Sequence, residues 1–313
     1  MFTSAPVIQT LARQGVLIGT SSWKYPGWLG QLYDPGRYQT RGRFSNTKFE
    51  AGCLTEYAET FGTVCVDAGY YAFPSEKYLS GLVEQVPPHF RFGFKVTEDI
   101  TVKRFPRLPR LGLRAGQVNE HFLDSEVFVR SFLEPCALIR SQVGVLIFEF
   151  SHFHPGDFDR GRDFIVMLDR FLAALPRDWQ YAVEIRNKTF LHPEYFAMLR
   201  SHGVAHCYNS WERMPPVPEQ LAMPESRTAE FLAARFLLTA GRKYAAAVGA
   251  FAPYSETKAP DCDARAAALQ IILEARRKMR QTSYIFVNNR LEGNALNTIA
   301  VVTAGMPPQD ESP

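Results

Sequence analysis

From residue 16 onward, short apolar runs alternate with longer stretches in which apolar residues recur every three or four positions. The short runs read as strands buried on both faces, the longer ones as helices with one buried stripe. Strands are predicted at 16–20, 63–67, 90–96, 143–150, 181–186, 204–208 and 283–288. Residues 231–238 are ambiguous by periodicity, and their second half is taken as the seventh strand in chain order. Helices are predicted near 53–61, 75–85, 125–141, 162–175, 193–201, 263–281 and 294–303. The helix at 263–281 has the fullest signature. Asp261 or Asp263 can cap its start, and Arg276, Arg277, Lys278 and Arg280 suit the negative end of its dipole.

Strands alternating with helices imply parallel β-α units. About eight units favour a closed barrel, so the expected class is α/β, a (β/α)₈ TIM-barrel-like single domain. The rival, a doubly wound open sheet, normally carries a glycine-rich phosphate turn after its first strand. Gly19-Thr20-Ser21-Ser22-Trp23 is not G-x-G-x-x-G. No internal repeat or long linker divides the chain. The expected layout is an N-terminal extension at 1–15, a barrel domain at 16–305 and a disordered tail at 306–313.

Composition leaves this picture standing. The 313 residues are 46% hydrophobic and 21% charged, enough for a large core. The net charge of +3 demands no nucleic-acid partner, although local patches can still bind phosphate. The five cysteines, Cys53, Cys65, Cys136, Cys207 and Cys262, are widely spaced, odd in number and free of C-x-x-C. They read as reduced thiols of a cytoplasmic protein rather than a disulfide framework or zinc knuckle. The first fifteen residues make a poor signal peptide, and no apolar run approaches the length of a membrane span, so no membrane partner is expected.

A barrel places its chemistry at the C-terminal ends of its strands, and side-chain alternation limits which residues point inward there. Cys65 shares a face with Asp67, Gly93 with Lys95, Ile147 with Glu149, and Ala182 with Glu184 and Arg186. His206 aligns with Tyr208, and Cys207 with Asn209. The eighth strand ends in Asn288-Asn289. Asp67, Lys95, Glu149, Glu184, Arg186 and Asn288 can therefore converge on one mouth. Such a set can hold an acid and a base with separated pKa values, bind a hard cation, or form a structural salt-bridge layer. His206 reads either as a ligand or base, or as a core histidine on an apolar strand.

H-E-x-x-H, G-x-S-x-G, a Walker loop and a tight Cys/His cluster are all missing, which counts against zinc protease, α/β-hydrolase and P-loop readings. The loop KRFPRLPRLGLR at 103–114 carries Lys103, Arg104, Arg107, Arg110 and Arg114 with no acid. It follows the third strand and can overhang the mouth, holding phosphate or nucleic acid, or it is a solvated loop. Trp23, Tyr25 and Trp28 can stack on a sugar or base, or plug the barrel end.

Several blocks, taken in order, resemble the YecE-like family, domain of unknown function 72. They are IGTSSWKYPGW at 18–28, TVCVDAGYYAFP at 63–74, FRFGFKVTEDIT at 90–101, VGVLIFEFSHF at 143–153, YAVEIRNKTF at 181–190 and IFVNNRLEGNALNT at 285–298. The resemblance implies a barrel and no established common reaction. It marks Trp23, Lys95, Glu184, Arg186, Asn288 and Asn289 as matched positions. The chain departs from the pattern at Cys65 and Asp67, where the family usually has glutamate and asparagine. It has Ala240-Gly241 where many members have His-Gly, and Glu149 where glutamine is common. These departures leave three readings open: carboxylates relocated to Asp67 and Glu149, an altered chemistry, or a binding protein.

The first functional expectation is an enzyme for a small polar, sugar- or phosphate-bearing substrate bound at the strand C-terminal face. Glu184, Asp67, Lys95 and Glu149 form its catalytic set, with Glu184 or Asp67 as the acid/base, and Trp23, Arg186, Asn288 and Asn289 bind substrate. In that reading Glu184→Gln abolishes turnover and leaves the fold intact. The second is a metal-dependent phosphoesterase or nuclease-like barrel using Asp67, Glu149, Glu184 and His206. The third is a non-catalytic ligand or nucleic-acid binding protein. No cofactor or particular metal is named by any motif.

Overall fold

The computed structural model describes residues 2–307. Eight strands make the wall of one barrel: β1 (Val16–Thr20), β2 (Thr63–Val66), β3 (Arg91–Lys95), β4 (Val143–Phe150), β5 (Gln180–Ile185), β6 (Ala205–Ser210), β7 (Ala233–Phe236) and β8 (Ser283–Val287). Their hydrogen-bonded order is β1-β8-β7-β6-β5-β4-β3-β2, and every pair is parallel. The expected (β/α)₈ architecture is therefore the observed one. Among the described residues no helix is long and apolar enough to cross a membrane.

β1 and β2 meet without a ladder, and a side chain closes the seam. The buried Tyr57 hydroxyl accepts from the Thr20 N–H at 3.0 Å and donates to the Thr63 carbonyl at 3.0 Å. It also lies 2.9 Å from Thr20 Oγ1. The approach is close because residue 19 is glycine: a Cβ there would sit 2.1 Å from the Thr63 oxygen. The helix Asn46–Ala58, held at its start by Ser45 accepting from Lys48 N–H, delivers Tyr57 to this position.

Inside the barrel, inward residues of alternate parity pack as a plug. Leu17, Cys65, Val145, Ile147, Ala182, Ala205, Cys207, Ala233, Tyr284 and Phe286 form one buried cluster. Large rings from β8 lie against small residues on the facing strands, and a Cβ at Gly93 would sit 2.6 Å from the Phe286 ring. The barrel is thus filled, not a pore. One step further toward the C-terminal ends, the inward positions turn polar, and that layer carries the candidate site.

The helices differ from the periodicity reading in instructive ways. The predicted helix at 53–61 starts earlier, at Asn46, because its first turn is polar and invisible to a hydrophobic template. The predicted helix at 125–141 is broken into Ser125–Phe128, a π-helical turn at Val129–Leu133, and Glu134–Ala137. Pro135 has no N–H to offer the preceding turn and its ring crowds that turn, so the ladder widens there. Four short α-helices among the described residues escaped prediction: Ala5–Arg13, Glu98–Thr101, Val217–Ala222 and Tyr244–Phe251. The first packs Ile8 and Leu11 into the core ahead of β1. Asp261 is the residue that caps Cys262–Lys278. Of the predicted tail, residues 308–313 lie outside the described residues.

Removing the Tyr57 hydroxyl leaves the Thr20 N–H and Thr63 C=O unpaired in a dry seam. Tyr57→Phe should cost ~1–3 kcal/mol in urea unfolding, with the far-UV spectrum unchanged. A loss within error of zero would show that the seam closes without the hydroxyl.

Candidate functional site

At the mouth, six charged side chains from five strands form one network. β4 and β5 pair with Glu149 opposite Glu184, so two carboxylates stand side by side in a sealed layer. Arg235, on the inner face of β7 and 2% exposed, reaches across to them. Its Nη1 donates to Glu184 Oε2 at 2.6 Å and to Glu149 Oε2 at 3.2 Å, and its Nη2 donates to Asp67 Oδ1 at 3.3 Å. Lys95 Nζ lies 2.6 Å from Glu149 Oε2 and 3.9 Å from Asp67 Oδ1. Arg186 donates from Nε to Glu184 Oε1 at 3.0 Å, and its Nη2 forms an ion pair with Glu149 Oε2 at 2.8 Å. Three cations face three carboxylates, so the cluster is neutral overall.

Burial disfavours charge on Glu149, yet Arg186, Lys95 and Arg235 together hold its carboxyl well below the usual carboxylate range. Burial likewise disfavours the Lys95 ammonium, but Glu149 and Asp67 outweigh it and raise its pKa. Lys95 also lies over the Tyr70 ring, 3.9 Å from its centroid. Beneath the network, burial pushes the Cys65 thiol up to about 12, so it remains an unreactive thiol. Asp67 differs from the two glutamates: its side chain is 34% exposed, against 2% for Glu149 and none for Glu184.

Beside the network opens a cleft of about 630 Å³. Arg186 belongs to both, its guanidinium stacked 3.6 Å from the Trp211 ring centroid. Lys103, Arg104, Arg107, His152 and His154 line the cleft together with the rings of Tyr70, Phe105 and Phe153, and Asp157 is the acid among the lining residues. Burial, then Arg213 and His154, lower the His152 pKa, so its ring is a neutral hydrogen-bonding group at neutral pH. A larger groove of about 720 Å³ lies at the N-terminal end of the strands, around Arg177, Trp179 and Arg200. It is remote from the charged network. The mouth cleft is the better candidate, because barrel chemistry is carried by the C-terminal loops.

A family model described as "Protein of unknown function DUF72" matches residues 17–308. The chain belongs to the DUF72 family. It is similar to the crystal structure of a DUF72 family protein from Thermotoga maritima, with 19% identity, 92% of this chain and 98% of that one covered, and a TM-score of 0.62. A DUF72 family protein from Enterococcus faecalis is similar at 19% identity, with 95% and 98% covered and a TM-score of 0.62. No curated protein matches the chain. At these identities the likeness extends to the fold.

Within this DUF72 chain, Asp67, Lys95, Glu149, Glu184 and Arg186 meet as side-chain alternation predicted, whereas Asn288, expected with them, is engaged with the Arg290 N–H instead. The hub, Arg235, was not among the expected residues. Its signal was present: it is the one charged residue in the apolar run 231–238. Asn288 Oδ1 accepts from Arg290 N–H and Asn289 Oδ1 from Ala295 N–H, so both amides organise the turn into the last helix. Trp23 is not in the mouth cleft. It lines a separate pocket with Lys24, Tyr78 and Gln85.

His206 points outward, into the helix layer. Its Nδ1 lies 3.4 Å from the Tyr195 hydroxyl and its Nε2 3.4 Å from Gln220 Oε1, with Phe196 and Tyr208 packed edge-on. It therefore cannot join Asp67, Glu149 and Glu184 around a metal. Among the described residues no group of three or more His, Cys, Asp and Glu side chains is placed to hold a metal ion. The oxygens of the three mouth carboxylates face guanidinium and ammonium groups instead. Of the basic loop, Arg110 is paired with Glu98, and Arg114 with Asp99. Lys103, Arg104 and Arg107 are left to the cleft.

The geometry changes the expected outcome of Glu184→Gln. With Glu184 bonded to Arg186 and Arg235, the substitution should destabilise the fold rather than spare it. Arg235→Met, which strips Glu184 Oε2 of its partner and leaves the buried network one cation short, should cost ~3–5 kcal/mol in chemical denaturation. A loss below ~1 kcal/mol would show that the carboxylates re-pair without it.

His206 supplies a pH test. Burial lowers its pKa from the ordinary 6.5 to about 4, with the Gln220 hydrogen bond opposing that shift. The folded state therefore binds its proton less readily than the unfolded chain. This contribution is complete above pH 6.5 and is lost as pH falls from 6.5 toward 4. Urea midpoints should decline over that window, and His206→Phe should flatten part of the decline. An identical slope in the variant would remove His206 from the account.

Proposed function

We propose that this DUF72 chain binds a small phosphate-bearing ligand in the mouth cleft, with Arg186 as the group shared by the ligand and the charged network. The observation that supports this most directly is the charge imbalance of the lining. Lys103, Arg104 and Arg107, with Arg186 at the boundary, face a single lining carboxylate, Asp157. Guanidinium forks match phosphate oxygens, and the rings of Trp211, Tyr70 and Phe153 suit the rest of a small organic ligand. The site is a pocket rather than an extended stripe, because Arg110 and Arg114 are neutralised by Glu98 and Asp99. That favours a small ligand over a nucleic-acid duplex.

A catalytic version of this reading rests on Asp67. Glu149 and Glu184 are sealed and saturated by cations, so they act as positioning groups. Asp67 is partly exposed and loosely paired, and although it stands outside the cleft lining, we assign it the proton-handling role on a phosphate ester that extends from the cleft past Tyr70. Lys95, Arg186 and Arg235 would hold its geometry and stabilise negative charge.

Calorimetric titration with inorganic pyrophosphate should show binding that weakens as salt rises, and Arg104→Ala/Arg107→Ala should weaken it about tenfold. No binding by the wild-type protein, or equal binding by the double variant, would overturn the reading. Against a panel of small phosphate esters, Asp67→Asn should lose phosphate release while retaining pyrophosphate affinity. Unchanged release in that variant would leave a binding protein only.

A further inference from the structure

A second pocket, of about 380 Å³, opens away from the mouth between the segment after β1 and the helices Asn46–Ala58 and Glu76–Val83. Two of its lining residues carry buried polar atoms with no partner: Nε1 of Trp23 and Oε1 of Gln85. Trp23 is 7% exposed, so its N–H has no recourse to bulk water. The orientation of Gln85 is set by its Nε2, which donates to the Gly81 carbonyl at 2.6 Å. One orphan is a donor and the other an acceptor, and no protein group answers either. A hydroxyl has the chemistry both need, accepting from the indole and donating to the amide oxygen.

Gly81 is a third, independent observation. It sits inside a helix, where glycine is unfavourable, and a Cβ there would meet nothing within 4 Å. Neither close approach nor left-handed backbone calls for glycine at this position. What the missing side chain does is keep the pocket open, since Gly81 is part of its lining. Lys24 and Lys77 stand at the rim with Glu50, and the Lys24 ammonium lies 5.8 Å from the Trp23 ring centroid.

We infer that this pocket binds a small hydroxylated anion, its hydroxyl bridging Trp23 Nε1–H and Gln85 Oε1 and its charge facing Lys24 and Lys77. The site is separate from the mouth cleft and does not depend on the function proposed there. Trp23 reports on the pocket and Trp211 on the cleft, so one experiment distinguishes the two.

The test is a titration of the ¹⁵N-labelled protein with glycerol 3-phosphate, read at the indole N–H resonances and assigned with Trp23→Phe and Trp211→Phe. The Trp23 resonance should move saturably. Gln85→Leu should abolish the movement, and Lys24→Ala/Lys77→Ala should weaken binding about tenfold, the size expected for losing a charge-assisted contact. Gly81→Phe should block the pocket and eliminate the shift, while Gly81→Ala should retain it and raise the thermal midpoint. Three results would overturn the inference: a Trp23 resonance that does not move, one that moves equally in Gly81→Phe, or one that shows only a bound water that glycerol 3-phosphate fails to displace. Movement confined to Trp211 would assign the anion to the mouth cleft and likewise overturn this second site.

Discussion

The parallel register of β4 and β5 sets Glu149 directly beside Glu184 in a layer that water does not reach. Two adjacent carboxylates cannot both stay ionised there unless cations are brought to them. Arg235 is the cation that reaches both and Asp67 as well, and Lys95 and Arg186 complete the balance. The mouth of the barrel is organised around this requirement. Five strands must hold their C-terminal ends in fixed relation for the distances to be met. The network therefore ties together the strands that the apolar plug below it packs but does not orient.

The neutrality of the network has a consequence outside it. Within the cluster three cations answer three carboxylates, so it carries no net charge. The cleft beside it is different, because Asp157 is the single lining carboxylate against Lys103, Arg104 and Arg107 there. Arg186 stands on the boundary, with its Nε and Nη2 committed to glutamates and its plane stacked on Trp211. A guanidinium fixed on one side in this way offers a ligand a preorganised face, which lowers the cost of binding an anion. The sealed network thus contributes rigidity, and the cleft contributes charge.

The opening motif is used for closure and for a wall elsewhere. Gly19 lets β1 approach β2, Thr20 meets the Tyr57 hydroxyl across the seam, and Trp23 turns away from the mouth into the helical layer. A segment that a sequence reader assigns to the active-site rim is therefore first a device for closing a barrel. Its aromatic residue then lines a separate pocket, where an unpartnered indole N–H distinguishes it from ordinary core filling.

Much of this was readable before any coordinates. Alternation of period two named the inward residues of each strand, because a strand offers a side chain only two faces. That placed Asp67, Lys95, Glu149, Glu184 and Arg186 at one mouth, and counting β-α units implied the closed barrel. Arg235 was hidden because one arginine in an apolar run does not declare which strand face it occupies until the strand boundaries are known. His206 and Trp23 show the same limit: alternation places a residue on a face, but only packing decides whether that face meets helices, a cleft or another pocket. Nor could the basic loop's sequence show that Glu98 and Asp99 neutralise Arg110 and Arg114. Local pattern determined the elements and their inward positions, since those depend on backbone geometry alone. Tertiary structure decided the charge partners, since salt bridges form between strands and loops far apart in the chain.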